Sequence, residues 1–476
     1  MNSDWPLHSL SDFINVKHGF AFKGEFFKGE RTSDLLVTPG NFAIGGGFKS
    51  DKFKYYEGPI PEDYVLSEGD LIVTMTDLSK QADTLGYSAL VPSITGNTLL
   101  HNQRVGLVEF KNDELDKAYL YFLLRSKEYR HHVVSTATGS TVKHSSPTKI
   151  LSFEFRKPPK EVQVDIGEKL IALEEKIQNN SQTNHTLEQI AQALFKSWFV
   201  DFDPVKAKIA VLEAGGTAEE AGLAAMEIIA AKNPKQLAEL KQSKPEDYAQ
   251  LAQTAALFPS AMQESELGEI PEDFKVRPFS ELAKLDTTSV NPGKQATTLW
   301  EHYSIPSFDV DKSPALDFGS TIKSGKYRVQ KSSVLSSKLN PHFPRTWWPD
   351  IENEECAICS TEFMQFVPHE EEYRSFIYGM ITSRPFQEGM QLRVTGSTGS
   401  RQRAQPPQVA SMGMVVPSDD LISLYSNKLL SLHQKAAKNI KENKQLSSIR
   451  DALLPKLLSG EITLSTSKEQ TLKASL

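Results

Sequence analysis

With 476 residues, of which 39% are hydrophobic and 24% charged, the chain has the composition of an ordinary globular protein and is too long for a single core, so about two to three domains are expected. The net charge of −7 excludes a uniformly basic nucleic-acid-binding protein but leaves room for a local basic face, and it points to surfaces that meet protein partners. Two cysteines, Cys356 and Cys359, exclude a disulfide scaffold; with no basic-then-apolar leader and no stretch of roughly 18 apolar residues, the chain is expected to be soluble and cytoplasmic.

Residues 1–158 read as mixed α/β. Short β-rich runs such as Leu71-Ile72-Val73-Thr74-Met75 sit among Gly, Pro, Asn and Asp turns, and a helical run over 115–130 precedes the small-residue loop Thr138-Gly139-Ser140-Thr141. A long helix follows over 162–199. Its Ile166, Leu170, Leu173, Ile177, Asn180, Asn184, Leu187, Ala191, Leu194 and Trp198 alternate steps of four and three residues, the a/d seam of a coiled coil. Thirty-eight residues of helix span roughly 57 Å. Residues 203–265 are rich in Ala, Lys, Glu and Gln and have no aromatic between Phe202 and Tyr248; they read as an insertion or linker with a short amphipathic helix over 214–231. Residues 266–417 are again mixed α/β, with Cys356-Ala357-Ile358-Cys359 as a strand and a helical run over 373–390. A second seam then runs through Tyr425, Leu429, Leu432, Ala436, Asn439, Asn443, Leu446, Arg450, Leu453 and Leu457 to a stop at Gly460.

The second half repeats the first. Thr138-Gly139-Ser140-Thr141 recurs 257 positions on as Thr395-Gly396-Ser397-Thr398. Beyond that loop the offset becomes 259: Pro147 and Pro158 meet Pro406 and Pro417, and Asn180, Asn184, Leu187 and Ile190 meet Asn439, Asn443, Leu446 and Ile449. Agreement at one offset over about 50 positions marks a duplicated unit of module and helix. Two asparagines at the middle of each seam are either polar positions on a wetted helix or register-setting residues between two paired helices. An intramolecular antiparallel pair would bring the two central pairs, Asn180/Asn184 and Asn439/Asn443, face to face, with Leu187 and Leu446 as further helix-pairing positions. The expected plan is therefore α/β (α+β) and duplicated: a module at 1–158, a helix at 159–202, the insertion at 203–265, a second module at 266–417, a second helix at 418–460 and a tail at 461–476.

Catalytic patterns are missing. Gly319 to Gly325-Lys326-Tyr327 has the wrong spacing for a phosphate-binding loop. Asn340-Pro341-His342-Phe343 lacks the second proline of an amino-methyltransferase loop, and Pro349-Asp350 with Glu352, Glu354 and Glu355 lacks the lysine of a metal-dependent nuclease. Cys356 and Cys359 have no second ligand pair for zinc and read as buried strand cysteines, and single histidines such as His8 and His185 have no triad company. A non-catalytic chain is expected, with no metal site.

Two α/β modules at a half-chain period, each feeding a similar long helix, resemble the specificity subunits of type I restriction-modification enzymes. The strings Gly69-Asp70-Leu71-Ile72-Val73-Thr74-Met75, His101-Asn102-Gln103-Arg104-Val105-Gly106, Leu194-Phe195-Lys196-Ser197-Trp198-Phe199, Leu267-Gly268-Glu269-Ile270-Pro271-Glu272 and Thr395-Gly396-Ser397-Thr398-Gly399-Ser400-Arg401-Gln402-Arg403 carry that likeness across nearly the whole chain outside 203–265. The resemblance implies two target-recognition domains, each reading one half of a split, asymmetric site in double-stranded DNA, with the antiparallel coiled-coil helices as a spacer. It implies two DNA methyltransferase (modification) subunits docked on the helices and translocase-nuclease (restriction) subunits beyond them. S-adenosylmethionine, ATP and Mg²⁺ would belong to those partners, leaving no cofactor in this chain and no membrane contact. A scaffold with two protein-binding modules is the alternative of a different class, and an enzyme with an unrecognised site a third.

Phosphate and base contacts favour Lys, Arg, Asn and Gln on loops. Within that resemblance the candidates are Lys17, Phe20, Lys23, Arg104, Lys143 and His144 in the first module, and Lys323, Lys326, Arg328, Lys338, Arg401 and Arg403 in the second. Arg401 and Arg403 follow a loop of small residues whose backbone can approach a phosphate. Val142-Lys143-His144 stands in the first copy where the second has Gly399-Ser400-Arg401.

Overall fold

The computed structural model describes residues 5–50, 52–77, 79, 81–139, 142–396 and 402–462. Two compact units divide the chain: residues 1–177 with 445–476, and residues 178–444. Each takes one module and a stretch of both long helices.

In the first unit the module opens and closes on paired strands, Leu7–Ser9 antiparallel to Glu154–Arg156. Between them a four-stranded sheet runs in the order Ile14–His18, Val105–Phe110, Leu71–Thr74, Ser88–Leu90. A five-stranded sheet has the order Phe27–Lys28, Lys54–Tyr56, Asp34–Val37, Thr98–His101, Val65–Leu66. All of Leu71–Thr74 is buried, as a continuous apolar run implies. The expected helical run is two helices, Lys117–Leu123 and Lys127–Thr136. Their Tyr119, Leu120, Tyr129 and Val133 share one core with Leu71 and Val73 of the sheet and with Ile166, Leu170 and Leu457 of the long helices.

The second unit repeats this plan, except that the first strand of its five-stranded sheet lies on the opposite edge. Lys275–Pro278 pairs with Gly413–Val416. The four-stranded sheet is Ala283–Asp286, Phe363–Pro368, Val334–Ser337, Thr346–Trp347, and the five-stranded one Ser289–Val290, Lys326–Arg328, Ala357–Cys359, Leu299–Tyr303, Ala315–Phe318. In both five-stranded sheets a parallel pair is flanked by antiparallel partners: Asp34–Val37 with Thr98–His101, and Leu299–Tyr303 with Ala357–Cys359. Cys359 is buried on its strand, whereas Cys356 is half-buried in the turn Glu354–Cys356 that precedes it.

Each long helix has 40 residues, Lys160–Phe199 and Asp419–Leu458, or about 60 Å. Pro159 and Ser418 open them: the amides of Val162 and Gln163 donate to Pro159 O, and Leu421 N–H to Ser418 Oγ. The second stops at Gly460, whose φ of +69° is the left-handed residue a helix end favours. All the seam positions named above are buried or half-buried.

Where module meets helix, the two copies solve one problem differently. The first module's helix Lys117–Leu123 is capped by Asp116, whose Oδ1 accepts from Tyr119 N–H at 2.8 Å. The long helix passes so close here that a Cβ on Gly167 would lie 3.0 Å from that amide nitrogen. In the second module Tyr373 occupies the cap position and makes no cap bond; Ser426, the counterpart of Gly167 at the 259 offset, accepts from Phe376 N–H at 3.2 Å instead. Buried Gln163 adds a further tie in the first unit, accepting from Asp116 N–H at 2.8 Å and donating to Pro158 O at 2.8 Å.

The stretch expected as a linker with one helix is four helices, Asp203–Glu213, Ala218–Ala230, Pro234–Ser243 and Pro245–Ala256. Their Val205, Ala225, Met226, Ile229, Leu237 and Ala255 enter the same core as Trp198, and Phe258 meets Trp198 edge-on at 5.3 Å. The motif Leu267-Gly268-Glu269-Ile270-Pro271 then turns a hairpin, Met262–Ser265 against Gly268–Pro271, with Gly268 at φ +94°. No helix among the described residues is long and apolar enough to cross a membrane.

Candidate nucleic-acid interface

The shared small-residue loop is a hairpin in both halves. In the first, Thr138 and His144 exchange both backbone hydrogen bonds at 2.9 Å; in the second, Thr395 pairs with Arg403 and Val394 with Ala404. The two extra residues of the second copy lie between these feet. The register therefore sets Arg403 against His144, rather than Arg401 as the bare sequence order suggests. Gly139 at φ +98° and Gly396 at φ +120° begin the loops, and a Cβ on Gly139 would strike Val142 O at 2.0 Å, so only glycine fits. Arg401 lies outside the described residues.

In the first module the structure brings most of the expected residues together. Phe20 N–H donates to His101 O at 2.8 Å, Gln103 N–H to Phe20 O at 2.9 Å and Met75 N–H to Arg104 O at 3.0 Å. Thr76–Asp77 then pairs with Lys143–His144. Phe20, Arg104, Lys143 and His144 thus stand on neighbouring segments. Lys17 is beside them, its Nζ donating to Asp63 O at 2.9 Å and lying 5.0 Å from the centre of the Tyr64 ring, itself 5.3 Å from Phe20. Lys23 is exposed, 3.7 Å from Glu25. Arg104 and Lys143 side chains have no hydrogen bond or ion pair among the described residues, which leaves their donors for a ligand.

Asp77 was not among the expected residues, yet it organises this edge. Its carboxylate accepts from Ser79 N–H at 2.6 Å, Thr84 Oγ1–H at 2.7 Å and Leu85 N–H at 3.1 Å. Burial alone would raise its pKa; the bonds from Ser79 and Thr84 outweigh burial and hold the carboxyl below the usual range. Thr76 and His144 share a side-chain bond of 3.1 Å. The signal in the sequence was an aspartate two residues before a serine, an Asx turn.

The second module is less convergent. Lys338 and Arg403 are neighbours, since Ala404 N–H donates to Lys338 O at 2.9 Å, but Arg403 is chelated by Glu362 at 2.9–3.2 Å. Lys323, Lys326 and Arg328 belong to the other sheet or its approach. Lys326, expected at the surface, is only 8% exposed and bonds Ser324 Oγ at 2.6 Å; burial pushes its pKa down. It is withdrawn as a contact because its side chain is buried and its ammonium is taken up by Ser324. Arg328 donates to the carbonyls of Glu354 and Glu355 at 3.3 and 2.8 Å. Lys323 and Lys338 side chains have no bond or ion pair among the described residues.

The four asparagines of the helix seams meet inside the second unit. Asn180 Nδ2 donates to Glu442 Oε2 and Asn443 Oδ1, both at 2.9 Å, and Asn439 Nδ2 donates to Asn184 Oδ1 at 2.8 Å. Asn184 Nδ2 donates in turn to Ala436 O at 3.0 Å. As 180 meets 443 and 184 meets 439, the helices run antiparallel there. Leu187 and Leu446 are half-buried. Among the described residues no group of three or more His, Cys, Asp or Glu could hold a metal ion.

The family described as the type I restriction modification DNA specificity domain matches residues 2–189. The HindI specificity subunit of Haemophilus influenzae is 31% identical over 362 residues, covering 72% of this chain and 77% of that protein. The EcoBI specificity subunit of Escherichia coli is 29% identical over 194 residues, covering 41% and 37%. Among solved structures, the type I restriction-modification S subunit from M. genitalium superposes with a TM-score of 0.53 at 14% identity, covering 96% of each chain, which extends the likeness of fold to both halves. On the HindI identity and coverage the chain belongs to the specificity subunits of type I restriction enzymes, their non-catalytic, DNA-recognising components.

Proposed function

We propose that the two modules each read one half of a split, asymmetric DNA site, that the helix pair sets the unread gap, and that two DNA methyltransferase subunits dock on the helices. Restriction subunits join beyond them, and S-adenosylmethionine, ATP and Mg²⁺ are held by those partners. The observation that carries this reading is a duplicated topology with unlike chemistry at its equivalent edges. His144 with Thr76 marks one hairpin foot and Arg403 with Glu362 the other, so two modules of one shape would read different bases. Lys17, Phe20, Lys23, Arg104, Lys143 and His144, with Lys323, Arg328, Lys338, Arg401 and Arg403, are the proposed contact set. Helices of about 60 Å are long enough to hold two readers one groove repeat, about 34 Å, apart.

The experiment lengthens the ruler. One heptad added to each long helix keeps the seam in phase and adds about 10.5 Å, or about three base pairs. Selection from randomised duplex DNA, with the methylation partner present, should return unchanged half-sites with the gap lengthened by that amount. An unchanged gap would refute the ruler. A wild-type complex that selects no split site would favour the protein-binding scaffold.

A further inference from the structure

Apolar packing between a module and a helix is non-directional and does not by itself hold an angle. Directional groups at that junction are therefore informative, and the duplication singles out one. Tyr121 and Tyr378 are separated by 257 residues, the offset of the halves at that point, and are 3% and 9% exposed. In the first unit Tyr121 Oη–H donates to Glu174 Oε2 of the long helix at 2.7 Å. In the second, Tyr378 Oη–H donates to Glu188 Oε2 at 3.0 Å. The counterpart of Glu174 at the 259 offset is His433, whose ring meets Tyr378 edge-on at 4.9 Å. Each tyrosine thus faces the same position of its own long helix.

Their surroundings differ in kind. Glu174 also pairs with Arg125 of the module and, at 3.0 Å, with Arg450 of the second long helix. Arg125 Nε donates on to Gly45 O at 2.7 Å, and a Cβ on Gly46, at φ +93°, would lie 2.5 Å from that guanidinium. The glycine run Gly45-Gly46-Gly47, otherwise unexplained, lets the backbone close on the arginine. One carboxylate therefore ties a module helix, a module loop and both long helices. In the second unit the helix position is uncharged: His433 stacks on Trp348 at 4.4 Å and 16°, and Arg374 lies 3.9 Å from the centre of the same indole.

We infer that Tyr121 with Glu174, and Tyr378 with Glu188 and His433, are positioning residues that set the angle at which each module meets the helix pair and so, resting on the half-site reading above, the gap length the subunit accepts. Charge-assisted and phenolic hydrogen bonds tolerate little misalignment, whereas the apolar contact around them tolerates sliding.

The test uses the full subunit with its methylation partner and duplex libraries in which the gap is one base pair shorter, native or one longer. Tyr121→Phe and Tyr378→Phe each remove a single oxygen and keep the ring packing. Their preference for the native gap over its neighbours should fall about tenfold, with the half-site bases unchanged. Glu174→Ala should fall further, and Glu174→Gln, which retains an acceptor for Tyr121, should recover part of the loss. Gap preference equal to wild type in all four variants, whatever the overall affinity, overturns the inference. If wild type itself selects no split site, the half-site reading fails and amide hydrogen exchange decides: faster exchange over 43–47 and 117–123 in Glu174→Ala upholds the anchor, and unchanged exchange rejects it.

Discussion

His433 stays neutral in the folded chain because burial, and then the nearby Arg374 guanidinium, push its pKa down to about 3. Trp348, Tyr378 and Arg374 face it, and the Glu188 carboxylate stands behind Tyr378. An unfolded histidine takes up its proton near pH 6.5, so between about 6.5 and 3 the unfolded state binds more protons than the folded one. Stability is full above that window and declines as pH falls through it, with a slope of up to about 1.4 kcal/mol per pH unit. Urea titrations followed by tryptophan fluorescence from pH 7 to 5 should show this decline, and His433→Phe, which keeps the stack on Trp348, should flatten it; an equal slope in both proteins would exclude His433 as the source. Nothing in the sequence marks this histidine, because its environment is assembled from the loop at 348, the helix Arg374–Thr382 and the second long helix. The same limit explains Lys326: a lysine beside Gly325 reads as a surface charge until the fold buries its side chain and gives its ammonium to Ser324.

At the scale of the element, the helices were legible in detail because a 3.5-residue period held over ten positions is the mark of a helix seam, and all those positions are buried or half-buried. The asparagines sharpen it. Asn439 is fully buried with Nδ2 on Asn184 Oδ1 at 2.8 Å, so removing one partner strands a buried donor. Asn184→Ala or Asn439→Ala should cost about 1–3 kcal/mol, while the double change Asn184→Leu/Asn439→Leu should restore or exceed wild-type stability, giving a strong coupling in a double-mutant cycle of urea midpoints. Simple additivity would mean that the pair contributes nothing as a pair. The four helices of 203–256 were legible in a different sense. Their signals are present, in the capping boxes Thr217/Glu220 and Asn233/Gln236 and in Pro234 and Pro245. An Ala-, Lys- and Glu-rich composition read as a linker concealed them, because it does not show that Phe258 reaches back to Trp198.

For the molecule as a whole, duplication was readable from one tetrapeptide and a fixed offset, and the matching four-stranded sheets, with four strands in common order in the larger sheets, bear it out. The strand orders themselves were not readable, since the central pairs join segments such as 34–37 and 98–101 through contacts that no local period records. Two modules of one topology imply separable specificities. Exchanging the first module for that of another family member at the same position should change the bases of one half-site only, leaving the other half-site and the gap as they were; altered bases in both halves, read by the same library selection, would show that the modules do not act separately.

That exchange has a direction, and the helix caps decide it. A second-position module seated on the first long helix would place an uncapped Phe376 amide against Gly167, which has no side chain to accept from it. The reverse transplant would set Asp116 and Ser426 to compete for a single N–H. With the acceptor on the module in one half and on the helix in the other, the two slots are not equivalent, and a module keeps its cap only in a slot of its own kind.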